Sequence, residues 1–170
     1  MLSALDLGGS PKQFQPWQHT QRYRERGTVP ESVDGVRGAT SGLRVLVVED
    51  EYLIALRLED TLKQFGCRPV GPAFTLEGGL SIAKTVTVDA ALLDLDLGGK
   101  SVLPLVEELK RRGVPVAFVT AYDLEELHSP LIQGLPWVHK PFTDEQILTL
   151  LTSCAAQRRP RPKPPGTSEP

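Results

Sequence analysis

Cysteine is scarce in this chain of 170 residues, which contains only Cys67 and Cys154. Two cysteines cannot build a disulfide scaffold, and neither sits at a Cys/His metal-binding spacing. A reducing compartment is the simplest setting, and we expect the cytoplasm. No apolar stretch approaches the roughly 20 residues of a membrane span. The first ten residues carry Asp6 and no basic run, so they lack the pattern of a secretory leader. An excess of positive charge is missing too: 19 Lys and Arg stand against 21 Asp and Glu, a net charge of −2. That leaves no overall field to hold nucleic acid or an anionic membrane, and neither is expected as a partner. The three histidines, His19, His128 and His139, have no metal-ligand or catalytic-triad arrangement and read as surface or structural residues.

Glycine and proline number 15 each and are placed unevenly. Residues 1–42 show no sustained period of 2 or 3.6 and are broken by Pro11, Pro16, Pro30, Gly35, Gly38 and Gly42, so a disordered arm is expected there. Residues 154–170 include Arg158-Arg159-Pro160-Arg161-Pro162-Lys163-Pro164-Pro165, whose prolines lack amide donors, and read as a disordered basic tail. Such a tail is most simply solvated, although a basic Pro-rich stretch also suits an acidic partner. Residues 43–153 hold 10 basic and 16 acidic residues, about −6, and fit one domain of ordinary size.

Inside that domain short apolar runs alternate with helical patterns. Val45–Val48 is a strand, after which Ile54, Ala55, Leu58, Leu62 and Phe65 recur at helical spacing up to a capping Gly66. Arg68–Phe74, with two prolines, predicts an edge strand, and 76–85 a helix softened by Gly78-Gly79. Strand 90–93, helix 102–112, strand 116–119, a short acidic helix near 124–131 and a strand at 137–139 follow. Thr143 and Gln146 form a capping box for the last helix. Strands separated by helices require right-handed crossovers, so the prediction is an α/β fold: a flavodoxin-like, doubly wound, five-stranded parallel sheet in the order 2-1-3-4-5 with helices on both faces.

In such a sheet functional groups collect beyond the carboxyl ends of the strands. The first strand ends in Glu49 and Asp50, the third in Asp94, the fourth in Thr120 and the fifth in Lys140. Crowded carboxylates repel one another unless a cation intervenes, and Mg²⁺ suits carboxylate oxygens. Glu49, Asp50 and Asp94 could hold it together with one backbone carbonyl, that of Asp96. Three carboxylates are then balanced by Mg²⁺ and the Lys140 ammonium. Asp94 could attack phosphorus to form an acyl phosphate, with Lys140 and the Thr120 hydroxyl on the phosphoryl oxygens. A new dianion would draw Thr120 inward, leaving a void that Trp137, three residues before Lys140, could fill as an aromatic switch.

The set Val45–Val48 with Glu49-Asp50, Leu92-Leu93-Asp94, Phe118-Val119-Thr120-Ala121 and His139-Lys140-Pro141-Phe142 resembles the receiver domain of two-component response regulators. The resemblance implies a magnesium-dependent, stand-alone receiver, a signalling module and not an enzyme. Its Asp94 takes a phosphoryl group from a histidine kinase or histidine phosphotransfer protein. It further implies that Glu49 and Asp50 are the acidic metal pair, Thr120 the switch hydroxyl and Lys140 the phosphate-binding lysine before a cis Pro141. The output surface is expected at the fourth helix, fifth strand and last helix, in a monomer or weak dimer. Departures are Leu95-Asp96-Leu97-Gly98-Gly99 after the acceptor, Trp137 in place of Tyr or Phe, and Tyr122-Asp123 after Thr120-Ala121.

Singly these residues have plainer explanations. Glu49-Asp50-Glu51 could be acidic residues at a helix N-terminus, Thr120 a turn residue, Lys140 a surface lysine and Trp137 core packing. Asp94-Leu95-Asp96 also looks like the start of a haloacid-dehalogenase phosphatase. That family places its acidic metal pair after the lysine and carries a cap over its substrate. A receiver that serves as an unphosphorylated docking surface or a phosphate sink is a further alternative.

Overall fold

The structure, a computed structural model, describes residues 38–122 and 129–158. Strands and helices follow one another along it: β1 (Arg44–Val48), α1 (Tyr52–Gln64), β2 (Arg68–Ala73), α2 (Leu76–Thr85), β3 (Ala90–Leu93), α3 (Leu103–Arg111), β4 (Val116–Thr120), β5 (Trp137–His139) and α4 (Asp144–Gln157). The strands form one parallel sheet in the order β2-β1-β3-β4-β5. Because side chains alternate along a strand, β1 sends Val45 and Val47 to one face and Leu46 and Val48 to the other. The first pair packs with Leu58 and Leu62 of α1 and Ile147 and Leu151 of α4. The second packs with Ala83 of α2 and Leu105, Val106 and Leu109 of α3. Every residue of β3 and β4 is buried, as a strand covered on both faces must be.

The ends of the folded unit lie outside the boundaries expected from composition. Thr40 is fully buried and its hydroxyl donates to the Phe65 carbonyl at 3.2 Å, while the Gly42 amide donates to Gly66 at 2.8 Å. Residues 38–42 therefore belong to the domain. At the other end α4 runs to Gln157, and Cys154 is fully buried against α1 and the sheet. The helix expected near 124–131 falls largely on 124–128, outside the described residues, and 130–134 form turns. The expected arm up to residue 37, with Trp17 and His19, and the tail from 159 likewise lie outside the described residues, as does His128.

Gly79 is better explained by contact than by helix weakness. A Cβ there would sit 2.8 Å from Leu105 Cδ2 and 3.1 Å from Val48 Cγ2, so glycine lets α2 press against β1 and α3. Among the described residues no helix is long and apolar enough to cross a membrane.

Candidate phosphoacceptor pocket

Main-chain bonds beyond the strand ends place the site residues. The Glu49 amide donates to Ala73 at 3.0 Å, the Asp94 amide to Val48 at 2.9 Å and the Lys140 amide to Thr120 at 2.8 Å, extending the sheet ladder by one residue at three tips. β2, at one edge of the sheet, ends in Ala73 and contributes no polar side chain there.

Lys140 is the hub. Its ammonium donates to Asp94 Oδ2 at 2.7 Å, Glu49 Oε1 at 2.8 Å and Glu51 Oε1 at 3.2 Å. Burial opposes the lysine charge, but the hydrogen bonds that its ammonium donates to Asp94 and Glu49 outweigh it and hold its pKa above the usual lysine range. The peptide bond from Lys140 to Pro141 is cis, as is that from Gly71 to Pro72.

Ligand oxygens of Glu49, Asp50 and Asp94 lie within 4.8 Å of one another. Glu49 is wholly buried, and burial pushes its carboxyl up to about 7 against the opposing bond from Lys140. Its Oε1 also accepts from the Glu51 amide at 3.2 Å. Its Oε2 lies 2.8 Å from the Lys140 ammonium but off the hydrogen-bonding direction, and no described residue donates to it. A buried carboxylate oxygen with charge left over, beside two more carboxylates, is a donor set that fits a hard divalent cation. Asp50 is exposed and faces the Gly98 turn: a Cβ on Gly98 would lie 3.7 Å from Asp50 Oδ2.

Asp94 Oδ1 accepts from the Leu95 amide at 2.6 Å and, more loosely, from the Asp96 amide at 3.5 Å. The unusual glycines after it make a tight two-residue turn. Gly98 and Gly99 both have positive φ, 64° and 84°, and Leu97 and Lys100 exchange backbone bonds across them. A bridge pairs Asp96 with Ser101 through the carbonyls of Leu95 and Lys100, so the Asp96 carbonyl, the expected further ligand, is not consumed by it.

Thr120 is fully buried, and its Oγ1 accepts from the Tyr122 amide at 3.3 Å. Trp137 lies opposite Phe118 in the β4–β5 register and packs, half-buried, on the α2/α3 side of the sheet. Two contributors were not foreseen. In the sequence Glu51 reads only as part of an acidic helix start, and Tyr122 only as a departure after Thr120-Ala121. The Tyr122 hydroxyl donates to Asp96 Oδ2 at 3.2 Å, which raises its pKa. Helical spacing could have found Glu51, since the chain must turn back over Glu49 to start α1. Nothing in the sequence pointed to the tyrosine bond.

A parallel sheet in the order 2-1-3-4-5, with an acidic trio and a lysine gathered at its carboxyl edge, defines a flavodoxin-like α/β domain. Within that class the sequence profile of the response regulator receiver domain matches residues 45–152, and the chain belongs to this family. It is 32% identical over 108 residues to sensory transduction protein LytT of Bacillus subtilis, covering 62% of this chain and 45% of LytT. With the phyllosphere-induced regulator PhyR of Methylorubrum extorquens it shares 31% over 117 residues, 67% of this chain and 44% of PhyR. The chain thus spans less than half the length of these relatives. The solution structure of the Erythrobacter litoralis PhyR receiver domain superposes with a TM-score of 0.63 at 29% identity, covering 74% of this chain and 99% of that one.

Proposed function

We propose that the chain is a phosphoacceptor in a two-component or phosphorelay system, taking a phosphoryl group from the phosphohistidine of a histidine kinase or phosphotransfer protein onto Asp94. The observation that carries this reading is the 2.7 Å ion pair between Lys140 and Asp94 Oδ2 inside the acidic trio. It places a carboxylate nucleophile beside a cation that can follow charge onto a phosphoryl oxygen. Glu49, Asp50, Asp94 and the Asp96 carbonyl hold Mg²⁺ in this reading. Bound there, the metal supplies positive charge to the oxygens of the transferring group. An Asp94 oxygen bonds to phosphorus as the phosphorus–nitrogen bond breaks and its electron pair returns to the donor imidazole. Lys140 keeps one phosphoryl oxygen neutralised, and Thr120 presents its hydroxyl to another. The carboxylate of Asp96, which a phosphatase of the haloacid-dehalogenase kind would need free as acid/base, is engaged by the Gly99 amide at 2.8 Å and by Tyr122.

Asp94→Asn is nearly isosteric and non-nucleophilic. Labelling by acetyl phosphate with Mg²⁺ should fall to background in this variant while its thermal melting stays cooperative. Undiminished labelling would remove Asp94 from the role.

A further inference from the structure

The two loops that carry Asp94 and Thr120 are joined across the pocket by the side chain of Tyr122. Tyr122 is two residues past Thr120, half exposed, and its amide donates to the Thr120 hydroxyl oxygen at 3.3 Å. Its own hydroxyl spans to Asp96 Oδ2 at 3.2 Å. Asp96 is fixed at its other oxygen by the Gly99 amide at 2.8 Å, and its backbone amide approaches Asp94 Oδ1 at 3.5 Å. The result is a continuous run of contacts, Asp94 to Asp96 to Tyr122 to Thr120. The first two members belong to the segment after β3 and the last two to the end of β4 and the segment after it.

We propose that Tyr122 is a positioning residue: through Asp96 it straps the β3 and β4 loops together at the mouth of the pocket and holds the resting arrangement of Thr120. This rests on the reading of Asp94 as phosphoacceptor. A group arriving on Asp94 must enter between the two loops, and Thr120 must turn toward it. Both movements displace a ring tied to one loop by its backbone and to the other by its hydroxyl. A bond made only in the resting state lowers the apparent affinity for whatever requires the open state, by the fraction of molecules that are competent. The strap therefore sets a threshold on filling the pocket, and Tyr122 belongs to the switch with Thr120.

The test is Tyr122→Phe, which keeps the ring and removes the hydroxyl, in the full chain with Mg²⁺. Apparent affinity for beryllofluoride should rise about fivefold, as expected for one hydrogen bond lost from the competing state. In an Asp96→Ala background the same change should add nothing, because the partner is already gone. An unchanged affinity, or an equal gain in both backgrounds, overturns the strap. Amide hydrogen exchange at Asp96 and Tyr122, followed by NMR without metal or beryllofluoride, should quicken severalfold in Tyr122→Phe, and unaltered exchange also overturns it. If the unmutated chain fails to bind beryllofluoride, the Asp94 reading fails, and the exchange measurement still decides the strap.

Discussion

Glu49 faces two opposed demands. It is wholly out of water, with burial as the main cause of a carboxyl pKa near 7, yet a metal ligand must be ionised. Without metal, a folded-state pKa raised above the unfolded value of 4.5 means that the folded chain binds the proton more tightly. The associated stability is fully present below pH 4.5 and is lost as pH rises through about 7. The magnitude is roughly 3 kcal/mol, from about 1.4 kcal/mol per pKa unit. In EDTA, then, Glu49→Gln should be more stable than the unmutated chain at pH 8 and no more stable at pH 4.5, in denaturant titrations. A difference independent of pH would mean that the Glu49 charge is compensated without metal. The cysteines show the same physics away from the site. Burial pushes Cys67 up to about 11 and Cys154 up to about 12, so both thiols should resist alkylation at pH 8 until the chain unfolds.

At the level of elements, most of the fold was legible because strand and helix periods differ. The run at 45–48, the repeat through α1 and the capping box at Thr143 each specify one local structure, and β3, α2 and β5 fall at their expected residues. The tips stand out as well, since four apolar residues precede each of Glu49, Asp94 and Thr120, and all three are buried where an unpaired polar group is costly. What composition could not show was long-range contact. Thr40 and Gly42 look like loop residues until α1 ends beside them, and Cys154 looks like tail until its sulfur is seen in the core. The bond between Tyr122 and Asp96 depends on two loop conformations at once, and neither was readable alone. Gly79 reads as a weakness of α2 for the same reason. Alanine there gains helix propensity worth about 1 kcal/mol, but its methyl must displace Leu105 and Val48, and overpacking costs typically 1–3 kcal/mol. Gly79→Ala should therefore lower the unfolding free energy by about 1 kcal/mol net, read as a lower denaturation midpoint, and a gain in stability would show that α2 can move away from the sheet.

Across the whole molecule, the question is how events at Asp94 reach a surface. Phe118, Thr120 and Trp137 share one face of the sheet: β4 alternates its side chains, and Trp137 stands opposite Phe118 while His139 stands opposite Thr120. Thr120 therefore shares its face with an edge strand, and a change at Thr120 that travelled along that face would meet Trp137 as the large side chain in its path. The chain has one other tryptophan, Trp17, outside the described residues. In a Trp17→Phe variant all tryptophan emission comes from Trp137. If filling the pocket draws Thr120 inward and the half-buried indole moves into the vacated space, adding beryllofluoride with Mg²⁺ should shift that emission and reduce its exposure to a quencher. Trp137→Phe should show no comparable change. Close-packed interiors offer few alternative positions, so an indole serving only as packing would hold its place. Binding of beryllofluoride with no change in Trp137 emission or quenching would therefore assign Trp137 to the core and leave the Thr120–Tyr122 segment as the moving part.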